Sequence, residues 1–266
     1  MPETDLTIPG EVAAVTAAGS GIGRQIARQL ADAGVDVAVN DVDGDALADA
    51  ETALADCAGD VRTVQGDVSD SEDMESFVET AVDTFGGLDV LVNNVGVAGP
   101  TKPCEDISAE EFLGTLEVNL GGQFNATRAA IPHLTADDRP DGRVVNVSSM
   151  SGKRPLRNRT PYTTAKMGVI GFTRTLAVEL ADRGVTVNAV CPGSVSGPRL
   201  DAVIEGQARD REASVEEIEA EFRSVSPMDE FVEAEDVTDT VLFLCSDRAD
   251  RTTGQDVNVT AGVTMY

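Results

Sequence analysis

Short apolar and β-branched runs alternate along the chain with longer stretches whose apolar positions recur every three to four residues. Residues 12–16, 35–40, 61–65, 88–93, 143–148, 185–191 and 256–259 have the length and composition of strands. Residues 22–33, 45–57, 71–85 and 165–181 carry helical periodicity. This alternation predicts βαβ crossovers and a parallel sheet. Several central runs are apolar at consecutive positions, as strands covered on both faces require. The expected fold is α/β, a doubly wound parallel sheet of about seven strands with helices on both faces. No internal repeat, low-complexity run or linker interrupts it, so residues 1–266 read as one domain. The segment 200–229 breaks the rhythm. It is charged and helical, with Pro198 before it and Pro227 near its end. It reads as an insertion before the last strand, either a helical lid over a site or a plain surface hairpin.

Composition narrows the class. Of 266 residues, 41% are hydrophobic, enough for a sizeable core. No run approaches the roughly 20 apolar residues that span a bilayer. Residues 1–10 lack a basic segment followed by an apolar one, so no signal peptide is expected and the expected location is cytoplasmic. Charge changes the picture more. Asp and Glu number 47 against 20 Lys and Arg, for a net −27, and only Lys102, Lys153 and Lys166 are lysines. Such a surface repels phosphate backbones and anionic lipid, so neither nucleic acid nor membrane is an expected partner. Its self-repulsion is relieved by salt, and a halophilic protein is expected. Cys57, Cys104, Cys191 and Cys245 form no CxxC pair, which points to free thiols, with Cys191 and Cys245 in apolar runs. His133 is the only histidine, so triads and metal sites built on several histidines are excluded by count. No metal is expected, and His133 reads as structural, near a helix end.

The first strand runs into Thr16-Ala17-Ala18-Gly19-Ser20-Gly21-Ile22-Gly23 and then a helix. Glycines permit a tight turn and close approach of backbone to a pyrophosphate, and a helix N-terminus offers free N–H groups to that anion. Gly19, Ser20, Gly21, Ile22 and Gly23 are therefore candidate cofactor contacts. The second strand ends at Asn40-Asp41. A carboxylate there accepts hydrogen bonds from both ribose hydroxyls and repels a 2′-phosphate, so Asp41 selects NAD, with NADP the less favoured alternative.

Tyr162-Thr163-Thr164-Ala165-Lys166 places Tyr and Lys four apart, on one face of a helix. A tyrosine hydroxyl is a poor base at neutral pH, and a neighbouring ammonium favours its phenolate form. Such a pair can take the proton of an alcohol as hydride leaves.

With these motifs the chain resembles the short-chain dehydrogenase/reductase family from end to end. The glycine turn is similar to TGxxxGxG, with Ala17 in place of the first glycine, a replacement expected to fit if φ is negative. Gly66-Asp67-Val68 resembles the family's adenine-contacting segment, and Asn93-Asn94-Val95-Gly96 its NNAG motif. Pro192-Gly193 resembles the nicotinamide-side turn, with Val195 facing the carboxamide and Ser196 standing in for the usual Thr. The resemblance implies a Rossmann-type fold and adds Asp67, Val68, Asn94, Gly96, Tyr162, Lys166, Pro192, Gly193 and Val195 to the cofactor contacts. It also implies a catalytic tetrad of Asn119, Ser149, Tyr162 and Lys166. Ser149 stands 13 residues before Tyr162 as in the family, Ser148 being the alternative. Ser149 would hold the substrate oxygen. Asn119 would position a water passing protons from Lys166 to solvent.

The implied chemistry is hydride transfer between a secondary alcohol or ketone and nicotinamide. Residues 153–159 hold four basic side chains, and Arg199 follows the Pro192-Gly193 turn. Arg157 and Arg199 are the candidates for binding an anionic substrate such as a sugar acid or hydroxy acid, a neutral sugar being the related possibility. These arginines serve equally well to neutralise acidic neighbours. The alternatives are a 3-oxoacyl-acyl-carrier-protein reductase using NADPH and, more remotely, a non-catalytic NAD-binding sensor. The resemblance further implies a homotetramer, with helices after Glu111 and around Tyr162 at one interface.

Overall fold

The computed structural model describes residues 7–8, 10–136 and 141–266, apart from the side chains of Arg199 and Asp210. Among these residues, seven strands form one sheet: β1 (Val12–Val15), β2 (Asp36–Asp41), β3 (Val61–Gln65), β4 (Val90–Asn93), β5 (Arg143–Val147), β6 (Thr186–Pro192) and β7 (Asp256–Val259). Their order is β3-β2-β1-β4-β5-β6-β7, and every neighbouring pair is parallel. The helices are α1 (Gly21–Asp32), α2 (Gly44–Leu54), α3 (Ser71–Phe85), α4 (Ala109–Leu116), α5 (Gly122–Leu134), α6 (Thr160–Leu180), α7 (Pro198–Arg211), α8 (Val215–Ser224) and α9 (Ala234–Cys245). The expected Rossmann-type α/β architecture is the one observed.

Side-chain alternation on the strands builds two cores. Val15, Val37 and Val39 meet Ile26, Leu30, Leu47 and Val241 of α1, α2 and α9 on one face. Val12 and Ala14 meet Phe77, Ala126 and Leu176 of α3, α5 and α6 on the other. Every residue of β1, β4, β5 and β6 is buried, as in a sheet covered on both faces, including the polar Asn93, Asn146 and Asn188. Cys191 and Cys245 are buried, and burial pushes their thiols up to about 11 and about 12. His133 lies in the last turn of α5. No described helix is long and apolar enough to cross a membrane.

Some of the acidic residues start helices. The Asp43 carboxylate accepts N–H bonds from Asp45 and Ala46 at the start of α2, and Asp70 does the same for α3. Ser108 with Glu111 and Ser214 with Glu217 form capping boxes on α4 and α8. The boundaries of several elements move by one to five residues from the sequence expectation. β4 begins at Val90 rather than 88, and just before it the Asp89 carboxylate accepts the N–H groups of Glu11 and Val12 at 2.8 and 3.0 Å. α6 begins at Thr160, five residues earlier than expected, with Pro161 in its first turn, where a missing N–H costs nothing. That extension carries Tyr162 onto the same helix as Lys166. Between α4 and α5 the helix loosens into a π turn at Glu117–Gly121. In the 200–229 segment, α7 and α8 pack on each other around Ile204, Ala208 and Ile218.

β1 and β4 are sheet neighbours whose connections leave in opposite directions, and the carboxyl ends of the strands there open a crevice. The loops after β1, β2, β4, β5 and β6 all reach that end of the sheet.

Candidate active site

The turn after β1 is tied at both ends: Thr16 donates its N–H to Val92 O, and Ala18 to Asn40 O. Between them Ala17 has φ +49, so the negative φ under which an alanine would fit without strain is not the one the backbone takes. The left-handed conformation turns the chain between these two fixed hydrogen bonds. Asn94 locks the turn by donating from Nδ2 to the Ala17 carbonyl at 2.9 Å, while its own N–H donates to Thr16 Oγ1. Gly23 is the close-packed glycine. A Cβ there would stand 2.4 Å from Asn94 Nδ2 and 2.5 Å from the Ala17 carbonyl oxygen.

Ser20, Gly21 and Ile22 form the open start of α1. Ser20 makes no side-chain cap, and the first turn carries no acidic residue. Gly21 has φ +57 with empty space where a side chain would lie. The Asp41 carboxylate accepts the Gly19 N–H at 3.0 Å and the Asp43 N–H at 3.1 Å, which fixes it beside the glycine turn. A cradle of glycines, uncapped N–H groups and an adjacent carboxylate fits a dinucleotide: N–H donors for its phosphates, an acceptor for a ribose. Val68 is buried, and the preceding Asp67 donates its N–H to Asp73 while its carboxylate accepts from Ser69. On the far side, Pro192 ends β6 and the Gly193 N–H bonds Val259 O. Val195 bridges Val232, and Ser196 Oγ donates to Glu233.

The four candidate catalytic residues come from three segments: Asn119 from the π turn, Ser149 from the turn after β5, and Tyr162 and Lys166 from α6. Lys166, 2% exposed, donates from Nζ to the carbonyls of Val95 at 3.1 Å and Val147 at 3.0 Å. These bonds hold the ammonium across the ends of β4 and β5. It lies 6.0 Å from the centre of the Tyr162 ring. Asn119 sits in the π turn and donates from Nδ2 to the carbonyls of Val97 and Thr115, leaving its buried Oδ1 without a partner. Gly96 lies between these groups, since a Cβ there would be 3.2 Å from Lys166 Nζ and 3.4 Å from Asn119 Oδ1. A side chain at that position would wedge the two apart.

The two serines differ. Ser148 is buried and its Oγ donates to the Lys166 backbone carbonyl at 2.8 Å. Ser149 instead caps a short 3-10 turn, accepting the Ser151 N–H at 3.1 Å, so its hydroxyl hydrogen points elsewhere. This arrangement leaves Ser149 as the hydroxyl able to donate to a bound oxygen.

The basic segment does not act as one patch. Lys153 is withdrawn into a salt bridge with Asp256, Arg154 and Arg157 are exposed, and the Arg159 guanidinium lies 4.7 Å over the Tyr162 ring while donating to Thr101. Arg157 thus faces solvent, and the Arg199 side chain is outside the described residues. Sequence reasoning missed the Lys153–Asp256 pair, although three lysines in so acidic a chain make each one conspicuous. It also missed the π turn at Asn119, for which no residue pattern gives notice.

A family model described as enoyl-(acyl carrier protein) reductase matches residues 16–264. A 3-oxoacyl-[acyl-carrier-protein] reductase of Synechocystis sp. is 34% identical, over 97% of this chain and 99% of its own. The crystal structure of a point variant of actinorhodin polyketide ketoreductase with NADPH superposes with a TM-score of 0.90 at 36% identity, covering 98% of this chain and 100% of that one. An NAD+-bound xylitol dehydrogenase matches with a TM-score of 0.90 at 28% identity, covering 96% and 99%.

Proposed function

The chain belongs to the short-chain dehydrogenase/reductase family of oxidoreductases, and from that premise we propose an NAD-dependent dehydrogenase that acts on a secondary alcohol of a sugar, sugar acid or hydroxy acid. The observation that carries the cofactor choice is the Asp41 carboxylate, fixed against the Gly19 N–H where a ribose would lie beside the glycine turn. A 2′-phosphate would meet that negative charge directly.

The residues divide the work. When bound, the nicotinamide supplies the acceptor or donor of hydride. Ser149 donates a hydrogen bond to the substrate oxygen and stabilises charge developing there. Tyr162 takes the hydroxyl proton in oxidation and returns it in reduction. Lys166 holds positive charge beside the Tyr162 ring, and Asn119 Oδ1 offers an acceptor for a water that links Lys166 to solvent. Gly19 to Gly23, Asp67, Val68, Asn94, Gly96, Pro192, Gly193 and Val195 form the remaining cofactor contacts. The Arg159 guanidinium over Tyr162 supports an anionic group on the substrate, with Arg157 and Arg199 as further cations. The α7–α8 hairpin of this one-domain chain serves as a lid. A homotetramer is the assembly, one contact being the apolar strip where Leu113 and Phe124 are 61% and 48% exposed beside Leu116, Leu120 and Phe172. The location is the cytoplasm of a salt-adapted cell.

A second reading is reduction of a 3-oxoacyl thioester with NADPH, favoured by the ketoreductase and acyl-carrier-protein reductase among the similar proteins. Both are tested by following NAD+ and NADP+ reduction in high salt with sugars, sugar acids, hydroxy acids and simple secondary alcohols, and NAD(P)H oxidation with acyl thioesters. The proposal expects turnover with NAD+ and a carboxylated substrate, and a loss of about tenfold or more in kcat/KM for NAD+ in Asp41→Ala. Turnover with NADPH and acyl thioesters alone overturns it. NAD binding without turnover across the panel supports a sensor instead.

A further inference from the structure

We propose that Lys153 is a positioning residue, whose buried salt bridge to Asp256 pins the turn that carries Ser149 against strand β7 and so fixes where the Ser149 hydroxyl stands. The inference rests on the reading of Ser149 as the group that holds the reacting oxygen. The turn itself is compact. The Gly152 N–H donates to Ser149 O at 3.0 Å, and the Lys153 and Arg154 N–H groups donate to Met150 O at 3.0 and 2.7 Å. Residues 149–154 therefore form one hydrogen-bonded unit, with Ser149 at one end and Lys153 near the other.

That unit is gripped from two sides. On one, Gly152 presses against helix α6 so closely that a Cβ would lie 2.8 Å from the Lys166 carbonyl oxygen. On the other, Lys153 reaches β7. Its Nζ lies 2.6 Å from Asp256 Oδ2 and 2.6 Å from the Asp256 carbonyl oxygen, and the two side chains are 10% and 11% exposed. Contact with both the carboxylate and the backbone of one residue sets direction as well as distance. The second oxygen of Asp256 is taken by Arg174, with Nη2 at 2.7 Å and Nε at 3.2 Å. Arg174 comes from α6, so Asp256 links the turn, the helix bearing Tyr162 and Lys166, and the last strand.

The charge balance of the chain gives this pair its weight. Of the three lysines, Lys166 lies in the candidate catalytic cluster, Lys102 pairs with the half-exposed Glu111, and Lys153 is engaged here. A pair this buried is screened far less by ions than a surface pair, so it holds the turn in salt that dissolves other attractions. Without the ammonium the turn keeps its internal hydrogen bonds and its packing on α6 but loses its anchor on β7. Asp256 keeps Arg174 as a partner, so the fold survives the loss. Displacement of a reacting group by about 1 Å is enough to slow catalysis on the order of 100-fold.

The test is a double-mutant cycle in high salt with the best substrate of the panel at saturating NAD+: wild type, Lys153→Met, Ser149→Ala and the double variant, with Lys153→Arg as the conservative replacement. The proposal expects Lys153→Met to lower kcat by about tenfold or more with unchanged affinity for NAD+. It expects Lys153→Arg to recover most of that loss, and Lys153→Met to cost nothing further in the Ser149→Ala background. A Lys153→Met enzyme within twofold of wild type overturns it, as does an equal loss in both backgrounds. If Lys153→Met does not fold, Lys153→Gln, which removes the charge but keeps a polar head group beside Asp256, is carried through the same two backgrounds and judged by the same non-additivity. Full activity of Ser149→Ala overturns the assignment of Ser149 and the proposal with it, whereas additive losses overturn the role of Lys153 alone.

Discussion

Ala17 pays a conformational penalty that its neighbours impose. Its carbonyl is held by Asn94, the N–H groups on either side are held by Val92 and Asn40, and the backbone between them is left-handed at φ +49. A Cβ in that region costs about 1–2 kcal/mol, while glycine loses more freedom on folding. Ala17→Gly is therefore expected to stabilise the protein by a net of roughly 0.5–1 kcal/mol, read from urea unfolding midpoints. A destabilised variant would show that the methyl group, half-buried against the second core, is worth more than the strain. The same turn shows what a motif does and does not convey. The identity and order of residues 16–23 announce a tight glycine turn between a strand and a helix. The sign of φ at Ala17 follows from hydrogen bonds to residues more than 20 positions away.

Among the elements, β7 carries more than its four residues suggest. Its Asp256 is partly buried, which on its own would raise the carboxyl pKa, but the hydrogen bonds from Lys153 and Arg174 outweigh that and the net shift is downward. A carboxyl group with a depressed folded pKa stabilises the fold fully above its ordinary value near 4, and that contribution disappears as pH falls through the depressed value. Asp256→Asn is expected to cost roughly 2–4 kcal/mol at pH 7. The gap to wild type should shrink as the pH is lowered below about 4. Urea unfolding of both proteins at neutral and acid pH measures it, and a constant gap would rule out Asp256 as the titrating group. The helices make a related point. The extent of α3 follows from Asp70 at its start and Gly86 at its end, both visible in the sequence. The early start of α6 and the π turn before α5 depend on packing, and those two features place Tyr162 and Asn119.

Across the whole molecule, 47 acidic residues against 20 basic ones leave a surface that repels itself. The Debye length falls from about 8 Å at physiological ionic strength to about 3 Å at 1 M, so salt should relieve this repulsion. Thermal unfolding is expected to shift upward between about 0.15 and 2 M KCl. A relief of ~2 kcal/mol corresponds to about 4–8 °C for a chain of this size. A midpoint that does not move would mean that the acidic groups lie too far apart, or too well paired, to matter. Pairs such as Arg211–Glu221 and Lys102–Glu111 hold their carboxylates below the usual range, first through hydrogen bonds to the cation. They use up basic residues that cannot then offset the remaining acids.

The sequence by itself determined the class of fold, because the period of apolar residues distinguishes strands from helices and their alternation admits few topologies. It also determined the chemical inventory: a glycine turn, an acid at the end of β2, and a tyrosine and lysine one helical turn apart, all local patterns with local causes. Tertiary structure decided which of two adjacent serines is tied to the Lys166 carbonyl and which keeps its hydroxyl available. It also scattered the basic segment into a buried pair, a guanidinium over Tyr162 and exposed arginines. Those outcomes depend on partners such as Asp256, 103 residues beyond Lys153. Contacts over that separation are set by the packing of the whole sheet, and no short-range periodicity encodes them.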